Sequence, residues 1–214
     1  MTKVIGIVQL KGGAGRSTLA TNLAALLSRK APTALLDCDM PQGTSASWYA
    51  VREAEGRTEG LTLATVDNAR DLVSTIEGLN HDYIVLDAPP RIAEVTRAVL
   101  MMADLLLIPL GASAAEIWAT TDLLDTIEEA QEQRPELKSR IVWNKFRPYT
   151  KSAGELRDAV KKELKAPALK HTLGYRVAYS EALARGLAAD EWTDRNAREE
   201  LQQLMAEVER LVRR

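Results

Sequence analysis

The residues of this chain that could do chemistry stand where apolar runs end: Lys11 and Arg16, then Asp37 and Asp39, then Asp87, then Asn144. In an open α/β sheet those strand ends are where ligands bind. Lys11 and Arg16 bracket Gly12, Gly13, Ala14 and Gly15, and the hydroxyls of Ser17 and Thr18 follow at once. Glycines let backbone N–H groups converge, and a helix opening at Ser17 adds positive potential, so the loop suits an anion such as phosphate. Three carboxylates facing a phosphate suit Mg2+, a hard cation that takes oxygen ligands and keeps several waters. Phosphoryl transfer to water also needs a group that orients the attacking water. Taken singly, each aspartate is more often a turn-former or a cap. The general phosphate-loop pattern G-x-x-x-x-G-K-[ST] is not met, because Leu10 replaces its first Gly and Arg16 its Lys.

The elements that must position these groups alternate between β and helical patterns, which predicts an α/β fold: a mostly parallel sheet with helices on both faces. Strands are expected at Val4–Val8, Thr33–Asp37, Leu61–Val66, a run ending in Asp87, Asp104–Pro109, Arg140–Asn144 and, last and short, Ala168–Thr172. Helices are expected at Ser17–Ser28, Ser47–Ala54, Ala69–Leu79, Ala93–Met102, Ala114–Gln133, Ser152–Leu164, Tyr175–Ala184 and Thr193–Val212. In the terminal helix Leu201, Leu204, Met205, Val208, Leu211 and Val212 recur near the helical period. Its polar face carries Glu199, Glu200, Glu207 and Glu209, which favours packing on the sheet over a membrane surface. Trp118 and Trp143 read as core residues.

The chain has 214 residues, one cysteine (Cys38) and a formal charge of −2, so it suits one domain, residues 1–214. The lone cysteine excludes an intramolecular disulfide and an intrachain cysteine cluster, and it fits a reducing cytoplasm. The longest apolar region, Ala98–Leu110, is too short to span a bilayer and includes Asp104, so no stable membrane insertion is expected.

Taken together, the motifs resemble one family along essentially the whole chain. L-K-G-G-A-G-R-S-T is similar to the deviant Walker A loop, K-G-G-x-G-K-[ST]-T, of the ParA/MinD ATPases. L-L-D-C-D-M-P-Q-G resembles their D-x-D-P-Q segment, and Y-I-V-L-D-A-P-P their Walker B strand. A-D-L-L-L-I-P-L-G-A-S, V-W-N-K and Y-R-V-A-Y-S-E-A-L-A-R-G follow in the family's order. The chain closely resembles the short ParA type. The resemblance implies a P-loop fold that binds ATP/ADP and Mg2+ and closes a homodimer around ATP. It implies that N–H groups of Gly13–Ser17 hold the phosphates, that Ser17 ligates Mg2+, and that Asp87 holds it through water. Thr18 would lie near the α-phosphate, Lys11 would reach the partner's phosphates, Asp39 would orient water, Asp37 would support the site from behind, and Asn144 would read adenine.

Two departures stand out. Arg16 carries a planar guanidinium where the family has a compact ammonium, so phosphate pairing is expected with slowed hydrolysis. Met40 adds one residue to D-x-D-P-Q while leaving Asp39 in register. Basic residues outnumber acidic ones between Lys138 and Arg176, and Lys151, Arg157, Lys161, Lys162 and Lys165 are the candidate DNA contacts. The resemblance thus implies a cytoplasmic, nucleoid-associated switch with non-specific DNA and a ParB-like protein as partners, segregating plasmid or chromosomal DNA. The alternatives are a ParA-like ATPase that positions a protein cargo, or a switch with negligible hydrolysis because of Arg16.

Overall fold

The computed structural model describes residues 2–111, 113–147, 154–155, 158, 160, 164 and 166–213. The strands are β1 (Lys3–Ile7), β2 (Thr33–Asp37), β3 (Leu61–Thr65), β4 (Tyr83–Asp87), β5 (Leu105–Leu110) and β6 (Lys138–Trp143). The helices are α1 (Arg16–Ser28), α2 (Thr44–Ala54), α3 (Ala69–Gly78), α4 (Glu94–Met102), α5 (Ala114–Gln133), α6 (Val177–Ala184) and α7 (Arg195–Arg213), with a 3-10 turn at Ala189–Glu191. The strands form one six-stranded sheet in the order β3-β2-β4-β1-β5-β6. All five neighbouring pairs are parallel.

Alternation along the strands explains why both faces are covered. In β1 and its extension, Val4 and Val8 enter one core cluster while Ile5 and Ile7 enter the other. The first cluster gathers apolar residues of α3, α4 and α5, and the second those of α1, α6 and α7 together with Trp48 of α2. A strand buried on both sides reads as a continuous apolar run, as these do. The expected α/β architecture is therefore what the chain forms.

Register then sets the chemistry. Asp87 is the pairing partner of both Ile7 in β1 and Asp37 in β2. Two carboxylates thus lie side by side at the C-terminal edge, next to the strand that feeds the glycine loop.

Several expectations change. The strand expected at Ala168–Thr172 is not one; only isolated bridges join Ile141 to Ala168 and Phe146 to Gly174. Trp118 is not core: its side of α5 faces out and it is 70% exposed, whereas Trp143 is buried. Of the helix expected over Ser152–Leu164, only Gly154, Glu155, Asp158 and Val160 are described as helical. Lys151, Arg157, Lys161, Lys162 and Lys165 lie outside the described residues. The terminal helix behaves as expected, burying Leu201, Leu204, Met205, Val208 and Val212 in the sheet-facing cluster. Among the described residues no helix is long and apolar enough to cross a membrane.

Candidate nucleotide site

The loop between β1 and α1 is shaped by two left-handed glycines, Gly13 at φ 77° and Gly15 at φ 95°. Gly15 is obligatory on steric grounds as well. A Cβ there would sit 2.1 Å from Asn144 Nδ2. That nitrogen donates to the Ala14 carbonyl at 2.7 Å, and the neighbouring Lys145 Nζ donates to the Gly13 carbonyl at 2.6 Å. Lys145 itself is held at φ 52°, a region that ordinary side chains seldom occupy. The Asn-Lys pair at the end of β6 therefore clamps the loop. With its Oδ1 accepting from Lys145 N and 5% exposure, Asn144 braces the loop.

No side chain caps the start of α1, and its first turn holds no acidic residue. Its orphan N–H groups and dipole are therefore left facing the loop, the arrangement that favours an anion. Lys11 is exposed beside it.

A residue that the sequence reading missed completes the loop's support. Gln9 is buried, donating Nε2 to the Pro109 carbonyl at 3.1 Å and to Thr120 Oγ1 at 3.0 Å. Its Oε1 accepts from Leu10 N at 2.8 Å. A glutamine closing the V-I-G-I-V run was the available signal.

The carboxylates divide the remaining work. Asp37 is fully buried and satisfied by backbone: Oδ2 accepts from Ala46 N and Oδ1 from Asp39 N. It anchors the start of α2. Asp39 is partly buried, and its Oδ2 lies 3.4 Å from Arg16 Nη2. Asp87 accepts from Ser45 Oγ at 2.7 Å through Oδ2, while its buried Oδ1 has no hydrogen-bond partner. Burial pushes the Asp87 carboxyl up to about 7, partly opposed by the hydroxyls of Ser45 and Ser17. Ser45 was not anticipated: it lies in the first turn of α2, which starts at Thr44, ahead of the expected Ser47.

An orphaned, fully buried carboxylate oxygen close to a serine hydroxyl fits a hard divalent cation. Among the described residues no three His, Cys, Asp or Glu side chains gather into a self-sufficient metal site. A cation here needs further oxygens from elsewhere, which phosphates would bring.

The model of the CobQ/CobB/MinD/ParA nucleotide binding domain matches residues 5–189. The chain belongs to that family. A protein named maintenance of carboxysome distribution protein A, from Halothiobacillus neapolitanus, is 29% identical over 209 residues, covering 95% of each chain. Its namesake from Gloeobacter kilaueensis is 33% identical over 201 residues, covering 92% of this chain and 88% of that protein. Among solved structures, a Cyanothece McdA–ATP complex matches with a TM-score of 0.76 at 17% identity, covering 97% of this chain and 96% of that one.

In this member of the CobQ/CobB/MinD/ParA family a cavity of about 270 Å³ opens beside the loop. Thr18, Asn144 and Lys145 line it on one side, and Tyr175, Arg176 and Tyr179 on the other. Its far wall is fixed from α7. Glu200 accepts from Gly174 N at 2.9 Å, from Arg176 Nη2 at 2.7 Å and from Tyr179 Oη at 3.1 Å. Arg16, the remaining predicted site residue, points elsewhere. Its guanidinium donates to the carbonyls of Ala88 (2.9 Å), Gln9 (2.6 Å) and Lys11 (3.1 Å), and the residue is 7% exposed.

Proposed function

We propose that this chain is an ATP-dependent switch of the ParA type that positions a protein-built cargo. The observation that carries the cargo is the near full-length similarity to two proteins named for carboxysome distribution. This favours the protein-cargo reading over segregation of DNA.

The chain's own residues would act as follows. The uncapped start of α1 and the N–H groups of Gly13–Ser17 hold the phosphates. Ser17 and Asp87, the latter through water, would hold Mg2+, which when bound would supply neutralisation of phosphoryl charge. The cavity between Asn144, Lys145 and Tyr175 takes the nucleoside. Lys11, exposed at the rim, is the cation available to a second copy's phosphates in a homodimer closed around ATP. Asp39 orients the attacking water. Non-specific DNA as the surface on which the dimer rests, and a ParB-like partner that triggers turnover, complete the scheme. The basic segment with Lys151, Arg157, Lys161, Lys162 and Lys165 is the proposed DNA contact.

The test is made in cells and in solution. A strain lacking the chain is scored for the spacing of large protein assemblies by electron cryotomography and for loss of plasmid and chromosome. Clustered assemblies with unchanged DNA inheritance support the reading; normal assemblies with frequent DNA loss overturn it. In solution, an ATP-dependent dimer whose DNA binding falls with salt is expected. DNA binding that ignores nucleotide would sink the switch.

A further inference from the structure

We infer that Arg16 is a positioning residue rather than a phosphate ligand: it braces the ends of β1 and β4 and holds Asp39. The inference rests on the ATPase reading above. A guanidinium has five N–H donors in a fixed fork. Four bonds are made here, three of them to the backbone carbonyls of Gln9, Lys11 and Ala88 and one to Asp39 Oδ2 at 3.4 Å. One hydrogen remains on Nη2. The side chain is 8% exposed, so its charge is compensated inside the protein, not on the anion face of the loop.

The geometry also says why arginine stands where the family has lysine. Its three carbonyl partners belong to two chain segments, one leaving β1 and one leaving β4, and Nε and Nη1 reach them from different edges of one plane. An ammonium has three donors on one atom and no plane, so it cannot span the set. Asp39 gains from the same fork. Its neighbour Asp37 supplies a backbone tether at 3.1 Å to Asp39 N, and Arg16 supplies the side-chain tether. With its backbone tethered by Asp37 and its carboxylate by Arg16, a water-orienting Asp39 is pre-set for its task. Phosphate binding then falls to the N–H groups of the loop and the start of α1.

The experiment uses the full chain as wild type, Arg16→Lys, Asp39→Asn and the double variant. Thermal unfolding without nucleotide, titration with a fluorescent ATP analogue and Mg2+, and single-turnover hydrolysis are measured on each. Arg16→Lys is expected to lower the nucleotide-free Tm by about 5–10 °C, through loss of charged hydrogen bonds. It should change the analogue's Kd by less than about threefold and slow turnover by about tenfold or more. On the Asp39→Asn background the same substitution should lower Tm again yet slow hydrolysis no further. A merely structural role would move both.

A variant Arg16→Lys that keeps its Tm and binds the analogue about tenfold tighter, or turns over faster, overturns the inference. If the wild type binds no analogue, the ATPase reading fails, and the nucleotide-free Tm still decides the brace. Should Arg16→Lys not fold, 15N spectra of arginine side chains in the wild type carry the test. The brace expects a slowly exchanging Nε–H, identified by its response to Asp39→Asn, that saturation with a non-hydrolysable ATP analogue leaves in place. A signal that moves on saturation overturns it.

Discussion

Replacing Asp87 by asparagine isolates the electrostatic cost of the proposed cation site. In the nucleotide-free chain the carboxyl is fully buried, and its pKa is raised from 3.8 to about 7. The folded state therefore binds this proton more tightly than the unfolded state does. The resulting stabilisation is full below the unfolded value near 4 and is lost as pH rises through about 7. At about 1.4 kcal/mol per pH unit, this window corresponds to roughly 4 kcal/mol as an upper bound. Asp87→Asn keeps the shape and the contact with Ser45 but has no charge to bury. The difference in unfolding free energy, variant minus wild type, is then expected to grow in the variant's favour from pH 5 to pH 8 by up to about 3 kcal/mol. Urea titrations at four pH values without nucleotide or Mg2+ measure it. Adding Mg2+ and an ATP analogue should stabilise the wild type and leave the variant behind, because the variant lacks the anionic oxygen. Parallel curves for the two proteins between pH 5 and 8 would refute the reasoning, since they would mean that the carboxyl is already ionised and stabilised by a partner.

Other consequences are as open to measurement. Gly15→Ala forces a side chain into φ 95° and onto Asn144; it should cost about 2–4 kcal/mol in urea unfolding, with part regained in Gly15→Ala/Asn144→Ala. Cys38 is buried, and burial pushes its thiol far above the ordinary range. Ellman's reagent at pH 8 should therefore leave the native chain unmodified and label it fully once unfolded. Glu200→Ala unties Gly174, Arg176 and Tyr179 together. It should weaken binding of a fluorescent adenine nucleotide by about tenfold and lower stability by about 2–3 kcal/mol; an unchanged affinity would show that the cavity beyond Tyr175 is not the nucleoside's seat.

How much of this was readable in advance depends on the range of each interaction. The strand–glycine–helix order and the carboxylates at strand ends follow from local pattern, and sheet register did the rest by pairing Asp37 with Asp87. The task of Arg16 was not readable, because its partners are mostly backbone carbonyls, which leave no trace in residue types. Ser45 is in the same position, being defined only by where α2 starts. Trp118 was misjudged by chemistry over period: Ile117, Leu123, Ile127 and Ala130 are buried, and a residue adjacent to Ile117 turns outward whatever its apolarity. The edge beyond β6 was misread because the segment from Pro167 to Tyr175 exchanges backbone hydrogen bonds with Ile141, Trp143 and Phe146 but pairs only at two isolated bridges, Ala168 and Gly174, instead of forming a continuous ladder.

Helix α2 joins the end of β4 to the segment before α7. At one end Ser45 holds Asp87; at the other Arg52 donates to the Gly186 carbonyl and to Glu191, which precede α7. Between them Trp48 is buried at 2% exposure, with its indole nitrogen on the Leu187 carbonyl at 3.0 Å. A ligand that draws Ser45 away from Asp87 tugs on a rod that carries its own chromophore. With Trp118, Trp143 and Trp192 changed to phenylalanine, the emission of Trp48 would report occupancy of the site in real time, without a label and without turnover.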